Sequence, residues 1–156
     1  MLEMWDKQSE IVTAGSGRKN TRKKGKIKIR KGAQMVTMSI WHPDIEEFIK
    51  AKQTPGRLTK FNMSCLITDE FMEAKENGKP WSLEFPSVDD NIKRYDNEWD
   101  GNLKKWKDNG YETVVYKTYD KAEELWDTIM ESTYNRNEPG VLFVDTMNRL
   151  NNLNYC

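Results

Sequence analysis

Nucleophilic, acid–base, metal-binding and phosphate-binding chemistry each need particular side chains, and this 156-residue chain offers few of them. It holds one histidine, His42, and two cysteines, Cys65 and Cys156. Cys65 lies in the alternating stretch Phe61, Met63, Cys65, Ile67 with no histidine near it in sequence. It therefore reads as a small core residue rather than an activated thiol. His42 stands directly before Pro43 and reads as a helix N-cap, with no visible partner for work as a base. Two cysteines make neither a disulfide framework nor a zinc spacing. Asp89, Asp90, Asp96, Glu98 and Asp100 supply oxygen atoms of the kind calcium takes, but their spacing matches no calcium loop. They read as a solvated excursion. No catalytic residue and no metal site are expected.

The densest chemical feature is basic. Arg18, Lys19, Arg22, Lys23, Lys24, Lys26, Lys28, Arg30 and Lys31 give nine positive charges, and no acid lies between Glu10 and Asp44. Such a run must be solvated or face an anion, because unpaired charge cannot enter a core. Three readings stay open: an exposed loop, an arm for nucleic-acid backbone, or a contact for nucleotide phosphate. The whole chain is balanced, with 25 Lys plus Arg against 25 Asp plus Glu, so global charge predicts no polyanionic partner.

The elements that must position these groups follow from periodicity. Met1 to Thr13 read as a helix in which Met4 and Ile11, and Trp5 and Val12, share a face; Gly15 and Gly17 break it. Val36, Met38 and Ile40 alternate with Thr37, Ser39 and Trp41 as in a strand. A helix then follows, with Pro43 at its start, Asp44, Glu46 and Glu47 in its first turn, and an apolar stripe of Ile45, Phe48 and Ile49. After a turn at 54–56, a second strand runs over 61–67, and Thr68 caps a helix over 69–76 that ends at Asn77-Gly78. Residues 81–85 read as a short strand and 87–107 as an irregular excursion pinned by Trp99 and Trp106. A turn at Asn109-Gly110 leads to a strand at 113–117. Asp120 and Glu123 form a capping-box pattern before a helix whose core stripe is Ala122, Leu125, Trp126, Ile129, Met130 and Thr133. Val141 to Val144 is a continuous apolar run suited to a parallel strand covered on both faces.

This order points to one α/β domain, and pattern alone allows either an open sheet or a barrel. A hydrophobic content of 37% with six Trp, six Tyr and five Phe argues against disorder. No apolar run approaches the roughly 20 residues that span a bilayer. Glu3, Asp6 and Glu10 interrupt any signal-peptide pattern. A soluble, cytoplasmic protein without a membrane partner is expected.

Several runs carry a family resemblance. Gly32-Ala33-Gln34-Met35, a strand, and Trp41-His42-Pro43-Asp44-Ile45-Glu46-Glu47-Phe48-Ile49 begin it; it continues through Ala51 to Ser64 and returns in Glu138 to Asp145 and in Asn151 to Cys156. In this order they resemble the catalytic barrel of ribonucleotide reductase, in particular the adenosylcobalamin-dependent (class II) enzymes. The resemblance implies a fragment of a ten-stranded α/β barrel made of two five-stranded halves. Residues 1–156 would be one partial barrel domain, truncated at both ends. It also implies that the helix-to-strand loop Arg30, Lys31, Gly32, Ala33 and Gln34 carries the signal from an allosteric deoxynucleotide effector to the substrate base. Those residue types suit the task. Gly32 permits close backbone approach, Gln34 can donate and accept at a base edge, and Arg30 can hold a phosphate or stack on a base.

In that family adenosylcobalamin generates a thiyl radical on the cysteine of an Asn-Pro-Cys-Gly-Glu finger loop, and two further cysteines supply reducing equivalents. Asn154-Tyr155-Cys156 matches the segment just upstream of that motif, so the resemblance does not make Cys156 the radical cysteine. The other redox cysteines would lie outside residues 1–156. The expectation is a fragment with the specificity loop, without catalytic cysteines, inactive alone and binding no cofactor by itself. The parent enzyme's ribonucleotide substrate, deoxynucleotide effector, remaining reductase chain and a homodimer mate would be its partners. The rival is a nucleic-acid-binding protein using residues 18–31. That rival predicts duplex or single-strand binding, measured by filter retention or anisotropy, that falls steeply with salt and disappears when the cations become Gln. The fragment reading predicts only weak, non-specific retention.

Overall fold

Parallel strands cannot be joined by a hairpin, so each crossover brings a helix onto the sheet. The computed structural model describes residues 2–15, 33–88 and 92–153. In chain order these form α1 (Leu2–Gly15), β1 (Gln34–Ser39), α2 (Ile45–Lys50), β2 (Phe61–Ile67), α3 (Asp69–Glu76), β3 (Trp81–Pro86), α4 (Ile92–Glu98), α5 (Leu103–Asp108), β4 (Thr113–Tyr119), α6 (Ala122–Arg136), β5 (Gly140–Phe143) and α7 (Val144–Arg149). β1, β2 and β5 make a three-stranded parallel sheet with β2 in the centre. Its register runs from Gln34↔Phe61 to Ser39↔Leu66 on one side and from Ser64↔Gly140 to Ile67↔Phe143 on the other. The described residues form no closed barrel.

One face of this sheet makes the core. Phe61, Met63, Cys65 and Ile67 of β2 are all buried, together with Ile45, Phe48 and Ile49 of α2, Phe71 and Ala74 of α3, and Ala122, Leu125 and Ile129 of α6. Burial pushes the Cys65 thiol up to about 12, which fits a packing residue. The register puts Thr37, Ser39, Asn62, Ser64 and Gly140 on the opposite face. There a Cβ on Gly140 would come within 3.0 Å of Ser64 Oγ, so a larger residue would need the Ser64 hydroxyl to turn or shift slightly. The α3 ends match expectation: Thr68 Oγ1 accepts from the Phe71 N–H at 3.2 Å, and Gly78, at φ +62°, closes the helix with Lys79 N–H donating to Ala74 O at 2.8 Å.

The structure corrects several expectations. β3 and β4 form a separate antiparallel ribbon with an irregularity at Leu83/Glu84 instead of joining the parallel sheet. It is attached through Glu84 N–H to Trp41 O (2.9 Å) and Trp81 Nε1–H to Ile40 O (3.2 Å). The excursion after β3 is ordered as α4 and α5. Their aromatic rings Tyr95, Trp99 and Trp106 pack with Phe85 and Tyr111 into a small secondary core. Asp120 caps nothing, because the first α6 amide, Ala122 N–H, donates to Lys79 O at 2.9 Å. β5 is an edge strand with Phe143 44% exposed, and Val144 already belongs to α7. In α1, Met4, Trp5 and Ile11 lie on the exposed side, while Asp6 and Ser9 are buried and Leu2 packs against the core.

At the amino ends of the strands, Lys52 pairs with Glu138 and donates to Phe61 O, while Ser132 Oγ bonds Ile49 O (3.0 Å) and Glu138 O (3.1 Å). These bonds lock α6 to α2. No helix among the described residues is long and apolar enough to cross a membrane. Ile129 is fully buried and Tyr134, on the same helix, is 89% exposed. Ile129→Ala should therefore cost about 2–5 kcal/mol in urea denaturation, and Tyr134→Ala less than about 0.5 kcal/mol.

Candidate functional site

Two places on the parallel sheet could do chemistry, one at each end of its strands. At the amino end, Ala33 is exposed and Gln34 half-buried as the chain enters β1. Gln34 N–H donates to Lys60 O at 2.8 Å, and Lys60 N–H donates to Asp6 Oδ1 at 2.9 Å. Arg57 Nε bonds Glu3 Oε1 at 2.8 Å, a second tie between α1 and the turn before β2. Of the five loop residues singled out from sequence, Arg30, Lys31 and Gly32 lie outside the described residues. So do the rest of the basic segment 18–31, Asp89, Asp90 and Asn154-Tyr155-Cys156.

At the carboxyl end a cleft of about 1250 Å³ opens between the strand ends, the β3–β4 ribbon and α5. Open α/β sheets gather ligands at this edge. Its charged groups are largely spoken for by the chain itself. Asp145 Oδ2 accepts from the Asp69 N–H at 2.7 Å, at the α3 amino end, where the helix dipole favours a carboxylate. Arg149 Nη1 bonds Asp69 Oδ2 at 2.7 Å and Arg149 Nη2 bonds Thr146 Oγ1 at 3.1 Å, so α7 is stapled to α3. On the other wall Glu84 takes Thr113 Oγ1–H at 2.8 Å and the Lys107 ammonium. The Lys105 ammonium on Asp100 (2.6 Å) holds that carboxyl below its usual value. Sequence reasoning did not find this cleft, since its walls come from five separate stretches and no single run signals them.

The cleft and Gln34 are separated by the length of β1, and a six-residue strand spans roughly 17–20 Å. One nucleotide-sized ligand therefore cannot fill the cleft and read the Gln34 backbone at once.

Neither place contains a ready nucleophile with its base. Cys65 points into the sealed core. The His42 Nδ1 accepts the Asp44 N–H at 3.0 Å, which fixes the proton on Nε2 in the neutral ring. His42 thus serves the turn leading into α2, whose N-cap is Asp44, and is not itself the N-cap. Its ring lies 5.4 Å from that of Phe85 and 6.1 Å from Trp41. Burial holds its pKa below the usual 6.5, against the opposing pull of Asp44. Among the described residues no three His, Cys, Asp or Glu side chains gather where a metal could be held.

The sequence model described as "Ribonucleotide reductase, barrel domain" matches residues 19–156. The chain belongs to this family. A vitamin B12-dependent ribonucleoside-diphosphate reductase of Thermoplasma acidophilum is 30% identical over 123 residues, covering 78% of this chain and 13% of that protein. A protein with the same description from Mycobacterium tuberculosis is 28% identical over 151 residues, covering 96% of this chain and 16% of that protein. A putative ribonucleoside-diphosphate reductase large subunit of Frog virus 3 is 31% identical over 126 residues, covering 78% of this chain and 18% of that protein. The chain therefore spans less than a fifth of the length of each of these relatives.

The described residues do not by themselves fit a cobalamin. The sole imidazole in the chain is committed to Asp44 and packed between rings, and the cleft walls carry paired charges where a corrin needs a broad apolar face.

Because His42 has a lowered folded pKa, it contributes stability that is fully present above its unfolded value and is lost as pH falls through the folded one. Urea midpoints should decline as pH falls from about 6.5 to about 5, and His42→Asn, whose amide can still accept the Asp44 N–H, should be flat there. Glu46, also held low, by Lys117 and Tyr119, enters only below its usual 4.5 and so does not confuse that window.

Proposed function

We propose that this chain is a working part of a B12-dependent-type ribonucleotide reductase, which converts ribonucleotides to deoxyribonucleotides by thiyl-radical chemistry for DNA synthesis. The observation that carries the reading is the match of the barrel-domain family over residues 19–156. The vitamin B12-dependent relatives support the choice of class. Within the enzyme, Arg30, Lys31, Gly32, Ala33 and Gln34 form the loop that passes the identity of a deoxynucleotide effector to the substrate base. Arg30 holds phosphate or stacks on a base, Gly32 lets the backbone approach, and Gln34 reads a base edge. The radical cysteine, its redox partners and the adenosylcobalamin site belong to other parts of the enzyme. This chain works with those parts and as one half of a homodimer, in the cytoplasm. A second reading, nucleic-acid binding through residues 18–31, is favoured only by the nine cations there.

The test is reconstitution. The isolated chain, given adenosylcobalamin, a dithiol and a ribonucleotide, should give no deoxyribonucleotide, and adding the complementary pieces of the enzyme should restore turnover. In the restored enzyme Gln34→Ala should change the preference between two ribonucleotide bases by about 5- to 100-fold while altering the best substrate's rate much less. Turnover by the isolated chain, or a base preference indifferent to Gln34, overturns this reading.

A further inference from the structure

The start of β1 and the helix α1 are fastened to the same few atoms. Lys60 offers its carbonyl to the Gln34 N–H at 2.8 Å and its own N–H to Asp6 Oδ1 at 2.9 Å. The turn that presents Lys60 is stiff. Leu58 is held at φ +51° with its side chain 2% exposed, and Phe61 N–H closes back on Leu58 O at 3.1 Å. A buried leucine in the left-handed region persists only where its surroundings fix it.

The other side of the contact is unusual. α1 turns Asp6 (8% exposed) and Ser9 (4%) toward the protein and leaves Met4 and Ile11 outside. Leu2 gives the helix an apolar contact with the core, and directional bonds from Asp6 and Glu3 fix where it sits. A carboxylate this far from water needs the bond it makes. The Glu3 carboxylate on Arg57 is exposed and adds only a weaker second tie.

We infer that Asp6 is a positioning residue: acting through the Lys60 main chain, it sets where Gln34 enters β1 and so couples the seating of α1 to the base-reading end of the loop. This rests on the proposed role of Gln34. A displacement of α1 moves the Asp6 acceptor, then Lys60, then the Gln34 amide, through two short bonds and one rigid turn. No covalent step is involved, and Asp6 touches no substrate.

Amide hydrogen exchange followed by NMR on the whole chain tests the first half. Asp6→Ala should speed exchange at Gln34 by about tenfold or more, with Leu66 in the β1–β2 ladder within about threefold of the parent chain. Asp6→Asn keeps an acceptor oxygen and should return Gln34 to within about threefold. Should Asp6→Ala fail to fold, Asp6→Glu, which keeps the charge but moves the acceptor by one methylene, carries the same comparison. Unchanged Gln34 exchange, or equal acceleration at Gln34 and Leu66, overturns the coupling. The second half is read in the reconstituted reductase, where Asp6→Ala should shift base preference at least fivefold more than it lowers the best substrate's kcat. A uniform fall across all substrates overturns the positioning role. If Gln34→Ala leaves base preference untouched while Asp6→Ala still loosens Gln34, the loop reading fails and the mechanical coupling stands.

Discussion

The fold depends on one constraint: three parallel strands that need crossovers, with one sheet face that must be covered. β2 occupies the centre, and each of its core-facing residues, Phe61, Met63, Cys65 and Ile67, is buried. α2, α3 and α6 reach that face because crossovers deliver them there, and their stripes of Ile, Phe, Leu and Ala complete it. The opposite face mixes Thr37, Ser39, Asn62, Ser64 and Gly140 with Met35, Leu66 and Leu142 and is less completely covered by the described residues.

At the ends of the strands polar bonds add to the burial of Leu58, Phe61, Ile40 and Ile67. At the amino end lie the Lys52–Glu138 pair, the Ser132 bonds and the Lys60 junction; at the carboxyl end lies the Asp69–Asp145–Arg149 staple. The β3–β4 ribbon buries Trp81, Leu83 and Tyr119 in the core and is joined by polar bonds as well. Tyr119 and Lys117 both reach Glu46 on α2, and burial, with the bond to Glu46, pushes the Tyr119 phenol up to about 12. Directional bonds place backbone more exactingly than apolar contact does, and the strand ends are where placement matters for a ligand.

Local signals were legible wherever they were dictated by neighbours in sequence. The 61–67 strand, the Thr68 cap, the Gly78 terminus and the Ile45-Phe48-Ile49 stripe all follow from spacing and capping chemistry. What failed were features that distant backbone decides. Asp120 had the pattern of a cap, but Lys79, from the α3–β3 turn, supplies the acceptor instead. Trp99 and Trp106 do pin the excursion, on Trp41 and Phe85 and on the Glu112 carbonyl, but its irregular reading missed the two short helices that carry them. The ribbon's antiparallel pairing and the cleft it walls depend on where the β1 end meets β3, which no periodicity reports. The loop Arg30–Gln34 is proposed on family resemblance, since charge density alone left three readings open. The Asp6 junction gave no sequence signal, because a lone aspartate on a surface helix is ordinary until its helix is seen to lie on it.

This division of labour has a consequence for the chemistry proposed. A thiyl-radical enzyme must keep bystander thiols and ionisable groups away from the reacting centre, yet hold its recognition loop in register. The described part of this chain is compatible with the first demand. Cys65, the thiol it contains, is sealed beneath α2, α3 and α6, with its pKa raised so far that thiolate is negligible near neutral pH. His42 is engaged by the Asp44 amide with its pKa held low by burial, and the cleft carboxylates Asp69, Glu84, Asp100 and Asp145 each have a partner within the chain. At the other end of the strands, the entry of the chain into β1 at Gln34 is fixed through Lys60. Under the proposed function, this segment would contribute position while the radical centre comes from elsewhere in the enzyme.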